Sequence, residues 1–471
     1  MITKSDYLLF LDVPLLLWAT QQGRIDVALS LYNRHLMDQG KEVEKLARVF
    51  LAGFLGNEKH DLTLTYEQTF IDDHFQARAD ALVYDVEEKI YDIYEIKSAT
   101  STKKEHKYDL AFQRLVCEAN IPVRNVFIIH LNKEFIRNGE IDITQLFVVE
   151  DLTEVTDELR EEVTRTREEA WQVTTNQTEE RILGCVKPKD CPCLSLCHPR
   201  LPEYPIFDLS RLHKNKARQL IGEGVLAIRD IPSGFPLTDR QLGQTQAVKL
   251  GEPVVNYEAI KGEIAKLTFP LYFLDYETYN PAVPYYDGYK PYQHMVFQYS
   301  LHVVKEPGSP EIHFDHLVTD VGDPGIQLIQ ELSQHMGHSG SVIVWNKGFE
   351  AGKNNAMAAM YPEFKTFLLG INNRIFDLME CFSKGYYVHP DFHGSASIKK
   401  VLPVLVKNNN LNYEKLEISE GTEAMLIWAE LMFDSDTSKD LECTREALLH
   451  YCKLDTLAMV RIWNVLERII E

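Results

Sequence analysis

No apolar run in this 471-residue chain approaches the length that spans a bilayer. A membrane partner is therefore not expected. The opening residues, Met1-Ile2-Thr3-Lys4-Ser5-Asp6, lack the charged-then-apolar pattern of a secretory signal, so a cytoplasmic location is the expectation. There is no Gly-x-x-x-x-Gly-Lys-Ser/Thr loop and so no sign of ATP use. Basic residues are outnumbered, with 49 Lys and Arg against 70 Asp and Glu, a formal charge of -21. That balance argues against a protein that coats nucleic acid non-specifically. It leaves room for a nuclease, because an acidic metal site itself adds negative charge and binding needs only a local basic path.

What is present is an ordinary globular composition, 45% hydrophobic and 25% charged, in a chain long enough for two to four domains. Four of the eight cysteines, Cys185, Cys191, Cys193 and Cys197, crowd into one short segment. In a cytosolic chain such a cluster reads as a metal or iron–sulfur site before it reads as disulfides. The other four are scattered and read as small buried residues.

Two patterns carry chemistry. The first is Leu271-Tyr272-Phe273-Leu274-Asp275-Tyr276-Glu277-Thr278, an apolar strand with two acids one residue apart. Side chains alternate along a strand, so Asp275 and Glu277 share a face and repel unless a hard cation such as Mg²⁺ lies between them. Further on, a strand over 341–345 runs into Asn346-Lys347-Gly348-Phe349-Glu350, and Asp377 follows a short apolar run. The last helix sets Tyr451 and Asp455 four residues apart, on one face.

The second pattern lies upstream. Residues 1–60 read as helical, with Glu44 near the face defined by Val43 and Leu51. Strands are expected over 62–66, 76–84, 90–97 and 123–131, the second and third forming a hairpin. Asp80 enters on one arm of that hairpin, and Glu95 and Lys97 share a face of the other. A helix bearing Gln113 follows. Asp80 and Glu95 can hold a divalent cation, and Lys97 can orient or activate a water for attack on a phosphodiester.

Residues 77–80, 95–98 and 111–113, with Glu44, resemble the PD-(D/E)xK nuclease fold in its RecB-like branch. The resemblance implies that Glu44, Asp80 and Glu95 are metal ligands and that Lys97 and Gln113 are catalytic. It also implies that Cys185, Cys191 and Cys197 share an iron–sulfur cluster with a fourth, N-terminal cysteine. Here Asp12-Val13-Pro14 stands where relatives carry Cys-Pro. Either Cys193 replaces that ligand, or the cluster is gone, or zinc is held instead.

The second half resembles the DnaQ-like, RNase H-type DEDD 3′–5′ exonucleases, on Asp275 and Glu277, on Asn346 to Glu350, and on Tyr451-x-x-x-Asp455. Glu350 stands where that family usually has Asp, and Asp377 is the nearest substitute in sequence. The resemblance implies that Asp275, Glu277, Glu350 and Asp455 hold two Mg²⁺ or Mn²⁺ ions and that Tyr451 helps place the attacking water. Asn346, Lys399 and Lys400 are candidate nucleic-acid contacts. Residues 386–413 resemble an uncharacterised bacterial family that joins a RecB-like front to a DnaQ-like back.

The expected fold is α/β throughout. It comprises a restriction-endonuclease-like domain over 1–200, a mostly helical connector over 201–268 with a basic stretch, and an RNase H-like domain over 269–471. The expected function is metal-dependent hydrolysis of DNA, favouring single-stranded ends, in prokaryotic repair or defence against foreign DNA. An RNA-processing exonuclease and a weakly active subunit of a larger complex are the alternatives, the latter with a protein partner.

Overall fold

A computed structural model describes residues 1–25, 30–56, 61–175, 192–320, 322–407, 411, 413, 416–433 and 441–471. The chain is mixed α/β and divides into two compact units. One comprises Met1–Pro199 and Asn280–Gln293; the other comprises Arg200–Tyr279 and His294–Glu471. The expected connector is thus not a body of its own, since residues 201–268 pack with the second unit. The loop over 280–293 belongs to the first unit, where the Tyr292 hydroxyl lies 2.6 Å from Ser98 Oγ and 2.8 Å from the Ser98 carbonyl. Among the described residues, no helix is long and apolar enough to cross a membrane.

The first unit is a six-stranded mixed sheet with helices. Its strands are β1 (Ile2–Thr3), β2 (Leu62–Asp72), β3 (Phe75–Asp85), β4 (Ile90–Lys97), β5 (Val123–Leu131) and β6 (Phe147–Asp151). β2 runs antiparallel along the whole of one edge of β3. The other edge is shared, by β4 over Ala81 to Asp85 and by β1 at Phe75 and Gln76. β4 pairs parallel with β5 and β5 antiparallel with β6. The β3–β4 hairpin and the bounds of β4 and β5 match the sequence pattern. β2 extends six residues past the run expected for it, because its partner β3 is long enough to pair with all of it.

Five helices of this unit matter here: α1 (Lys4–Asp12), α2 (Pro14–Gln21), α3 (Leu31–Leu55), α4 (Lys104–Glu118) and α5 (Arg160–Thr175). α3 lays Val43, Ala47 and Leu51, spaced by one turn, against Ala81, Val83, Tyr94 and Ile96. The chain continues through Gly53, and the helix is capped by Gly56. α4 buries Ala111, Phe112 and Val116 against Phe75 and Ala77, while Tyr7 of α1 stacks on Phe112 at 4.9 Å.

The main sheet of the second unit has strands β7 (Leu271–Tyr279), β8 (Met295–Val304), β9 (Ile312–Leu317), β10 (Ser341–Val344) and β11 (Ile375–Asp377), in spatial order β9-β8-β7-β10-β11, and Val254–Val255 pairs with Tyr387–Val388 in a separate two-stranded sheet. The first three are antiparallel, and β7, β10 and β11 are parallel. β9 lacks a clean alternation of apolar and polar residues and escapes a sequence reading. The helices used below are α6 (Pro324–His335), α7 (Lys347–Met360), α8 (Lys365–Asn372), α9 (Ile398–Leu405), α10 (Gly421–Phe433) and α11 (Leu441–Ile470).

One core of this unit joins Tyr272, Leu274 and Tyr276 of β7 to Leu328, Ile329 and Leu332 of α6 and to Met357 and Ala358 of α7. Phe273, on the other face of the strand, lies 6.0 Å from the Trp463 ring of α11. The alternation along β7 therefore sends Tyr276 into a packed core and turns Asp275 and Glu277 toward the α11 side. Trp428 of α10 is fully buried, stacks on Phe297 at 4.4 Å and donates its Nε1–H to the Val318 carbonyl at 2.8 Å. Gly340 leads into β10 at φ +90, and a Cβ there would fall 2.1 Å from the Pro270 carbonyl oxygen, so only glycine fits.

Candidate metal centres

In the second unit, β7 supplies two acids to one centre. Oxygens of Asp275 and Glu277 and the sulfur of Cys452 all lie within 4.8 Å of one another. Cys452 donates its S–H to Asp275 Oδ2 at 3.5 Å. Burial, with the charges of Asp275 and Glu277, keeps this thiol protonated well above its ordinary range. It therefore acts as a donor, and of the three groups only the carboxylate oxygens are of the kind that a hard cation takes.

α11 brings in Tyr451 and Asp455 one turn apart. Asp455 Oδ1 accepts a 2.6 Å hydrogen bond from the Tyr413 hydroxyl. Lys399 of α9 places its ammonium 5.4 Å from the Tyr413 ring centre and 5.6 Å from that of Tyr451. The Ser419 carbonyl accepts a hydrogen bond from it at 2.6 Å. The first residue of α10, Gly421, closes in on the same groups: a Cβ there would lie 3.6 Å from Glu277 Oε2 and 3.7 Å from the Tyr451 hydroxyl.

Glu350 sits in the first turn of α7. The helix is anchored through Asn354, which accepts from the Tyr276 hydroxyl at 2.9 Å and donates to Asn372 Oδ1 at 2.8 Å. Glu350 is only 2% exposed, and its Oε2 is buried without a hydrogen-bond partner. A buried carboxylate oxygen with no donor is costly, and a cation would relieve that cost.

The electrostatics run in one direction. Burial is the largest cause of each shift. It pushes Asp275 well above the ordinary carboxylate range, with Asp455, Glu277 and Glu350 adding repulsion. It does the same to Glu277, with repulsion from Asp455 only partly offset by Lys399. Glu350 is raised to about 8 by burial and by Asp377, against the pull of Lys353. Asp455 is raised to about 6 by burial, against the Tyr413 hydrogen bond and Lys399. Burial and the neighbouring acids also push the Tyr451 phenol upward, so it stays protonated.

Asp377, the sequence's substitute for Glu350, is otherwise engaged. Its two oxygens accept from the backbone N–H groups of Lys347 (3.0 Å) and Met379 (3.1 Å). Asn346 is the N-cap residue of α7 and makes no side-chain cap bond. Lys400 is exposed, whereas Lys399 faces the acids.

In the first unit, β3, β4 and α4 bring Asp80, Glu95, Lys97 and Gln113 together. Glu95 is 1% exposed. Its Oε1 accepts from Lys97 Nζ at 2.7 Å and its Oε2 from Gln113 Nε2 at 3.1 Å. Asp80 Oδ2 accepts the Ile96 N–H at 2.9 Å. Two further residues complete the cluster. Lys4 donates to Glu95 Oε1 at 2.6 Å and to Gln113 Oε1 at 3.3 Å, and its ammonium is 4.0 Å from Asp80 Oδ1. Asp109 binds Lys97 through Oδ2, while its Oδ1 is buried without a partner. Burial pushes Glu95 up, but Lys97 and Lys4 outweigh it and bring the acid down to about 2. Burial and Glu95 raise Asp80 to about 7.

Glu44 has a different partner from the expected one. Its carboxylate is taken by Arg48 one turn along α3, and Arg48 also reaches Glu67 at 3.5 Å. An i,i+4 pair on the same helix holds it on its own surface.

Cys185 and Cys191 lie outside the described residues. Cys193 is buried with Leu15, Leu16, Trp18 and Ala19, and Val13 and Cys197 pack against that cluster. The cysteine segment therefore meets the stretch where the fourth ligand was expected, with Asp12 exposed beside it.

Lys4, Asp109, Tyr413 and Cys452 are the site residues that sequence reasoning missed. Asp109 had a signal, since it lies one turn before Gln113 on the same face of α4. Cys452 is adjacent to Tyr451 but has no spacing that marks it. Lys4 and Tyr413 reach their centres only through tertiary packing.

A family described as a domain of unknown function, DUF2779, matches residues 272–397. That segment contains Asp275, Glu277 and Glu350 and stops before Lys399, Tyr451 and Asp455. The chain is also similar to an uncharacterized protein of Ureaplasma parvum serovar 3, at 26% identity over 234 residues. The match covers 46% of this chain and 34% of that relative, so the chain spans about a third of its length. No solved structure matches.

Proposed function

We propose that the second unit hydrolyses phosphodiester bonds of nucleic acid with divalent cations, taking single-stranded DNA ends first. One observation carries this reading: four carboxylates from β7, α7 and α11 face only two ammonium groups, Lys399 and Lys353, and every one of them is shifted toward its protonated form. Such a cluster gains most from a hard cation with oxygen ligands. The unpartnered Glu350 Oε2 fits that need. Asp275, Glu277, Asp455 and Glu350 would be the ligands. Bound Mg²⁺ or Mn²⁺ would supply Lewis-acid stabilisation and an activated water.

The chain's own groups do the rest. Tyr451 keeps its proton at working pH and can orient a water's lone pair. Lys399 supplies a fixed positive charge toward a phosphate. Tyr413 holds Asp455 in place. The sheet order, with β7 central and parallel strands on one side of it, supports an RNase H-type fold for this unit.

The first unit's Asp80, Glu95, Lys97 and Gln113 support a second, RecB-like centre. Repair of DNA or defence against foreign DNA is the role that both resemblances favour.

The test is an assay on end-labelled single- and double-stranded DNA and RNA with Mg²⁺ or Mn²⁺, using the wild type beside Lys97→Ala and Asp275→Ala. Loss of cleavage in Asp275→Ala assigns the activity to the second unit, and the ladder gives polarity. Preference for RNA would move the substrate and keep the chemistry. Absence of cleavage by the wild type on every substrate would overturn the reading.

A further inference from the structure

Lys4 has no counterpart in the Glu-x-Lys pattern that marks Lys97, yet its position is fixed on both sides. The two-residue strand β1 before it pairs with Phe75 and Gln76, and Ile2 N–H donates to the His74 carbonyl at 2.7 Å. Thr3 and Asp6 exchange hydrogen bonds across the start of α1. The side chain therefore leaves an anchored turn and runs to the acids.

The two lysines of the centre are not equivalent. Lys97 lies between Glu95 and Asp109. Lys4 lies between Glu95 (2.6 Å) and Asp80 (4.0 Å). Those are the two acids that a bridging divalent cation would take. Both ammonium groups rest on Glu95 Oε1, Lys4 at 2.6 Å and Lys97 at 2.7 Å. A divalent cation entering between Asp80 and Glu95 would meet and be repelled most by Lys4, the one that is also 4.0 Å from Asp80. Lys4 also touches Gln113 Oε1, so three of the centre's side chains are organised around its nitrogen.

We propose that Lys4 is a built-in counter-ion of this centre: its ammonium takes the cation position between Asp80 and Glu95, and a divalent cation binds there only as Lys4 leaves Glu95. The inference rests on reading Asp80 and Glu95 as cation ligands, not on hydrolysis by them. It makes Lys4 a positioning residue whose release is coupled to metal entry. The centre is then assembled and rigid before any metal arrives.

The test uses Mn²⁺ binding to the full-length chain, read by electron paramagnetic resonance. Asp275→Asn and Glu277→Gln are present throughout to silence the second unit. Lys4→Met keeps the aliphatic stem and removes the charge, and should tighten Mn²⁺ binding by about tenfold or more. Lys4→Arg keeps the charge and should not tighten it. Unchanged or weaker binding in Lys4→Met would overturn the proposal. A second measurement needs no variant at Lys4: amine acetylation of that side chain, quantified by mass spectrometry. Mn²⁺ should increase Lys4 labelling, and Asp80→Asn should abolish the increase. Labelling that Mn²⁺ leaves unchanged or lowers would overturn the proposal even if Lys4→Met fails to fold. Nuclease activity enters neither readout, so a negative result here is separable from failure of the hydrolytic assignment.

Discussion

In the first unit three carboxylates, Asp80, Glu95 and Asp109, face two ammonium groups, Lys4 and Lys97. In the second unit four carboxylates, Asp275, Glu277, Glu350 and Asp455, face Lys399, with Lys353 acting on Glu350. Burial penalises charge in both places. In the first, the lysines overcome the penalty at Glu95 and draw it down to about 2, while Asp80 beside it still rises to about 7. In the second they do not, and all four acids move up. The comparison teaches that clustered acids alone do not say whether a centre awaits a cation. What decides is the count and placement of the ammonium groups already present, since a compensated site must release a charge before it gains another.

Neutralising one side of the comparison should produce the largest effect. Asp275→Asn should lower Mg²⁺-dependent cleavage on the order of a thousandfold in a steady-state assay, because both the ligand and the orientation of its neighbours are lost. Lys97→Ala should leave that activity of the second unit unchanged.

Thermal stability against pH distinguishes Glu95 from the raised acids next. Asp455 and Glu350 have folded-state values raised to about 6 and about 8. Stability from a raised acid is fully present below its unfolded value and is lost as pH rises through its folded value. Without metal, the second unit should therefore lose stability between about pH 4 and about pH 8, and Mg²⁺ should restore it at the upper end. In the first unit Asp80, raised to about 7, adds a loss of that same sign, and Glu95 alone has the opposite sign. Its contribution is present above its unfolded value of 4.5 and is lost as pH falls toward about 2. Melting curves across pH with and without Mg²⁺ check both directions.

Glu350→Gln removes a buried acid whose ionisation the fold disfavours. It should raise metal-free stability by about 1–4 kcal/mol and weaken Mg²⁺ binding, measured by denaturant unfolding and titration calorimetry. A stabilised variant with undiminished Mg²⁺ affinity would remove Glu350 from the ligand set.

The smallest effect is expected from Tyr413→Phe, which deletes the hydrogen bond to Asp455 and should cost about 0.5–1.5 kcal/mol in chemical unfolding. Lys400→Ala is the matching control on α9, exposed and expected to change nothing.

Much of this arrangement was legible in the chain because it follows local periods. Asp275 and Glu277 obey the two-residue repeat of a strand, Tyr451 and Asp455 the turn of a helix, and Glu95 and Lys97 the strand repeat again. The α/β character and most strand positions come from the same repeats. What escaped depends on distant packing. Lys4 is a single basic residue at a helix start, and only the pairing of β1 with β3 carries it to Glu95. Tyr413 follows no periodic run. The loop over 280–293 reads as a Tyr-, Pro- and Gly-rich connection, and nothing local says that it packs with the first unit. Glu44 shows the converse: its helix was legible, but its partner Arg48, one turn away, was the nearer claim on it.

The most direct test of the central claim is a calorimetric Mn²⁺ titration of the wild type beside the Asp275→Asn, Glu277→Gln double variant. The wild type should bind Mn²⁺, and the double variant should lose the tightest site. Mn²⁺ binding that is identical in the two proteins would contradict that claim, and the acid cluster of the second unit would then not be a metal centre.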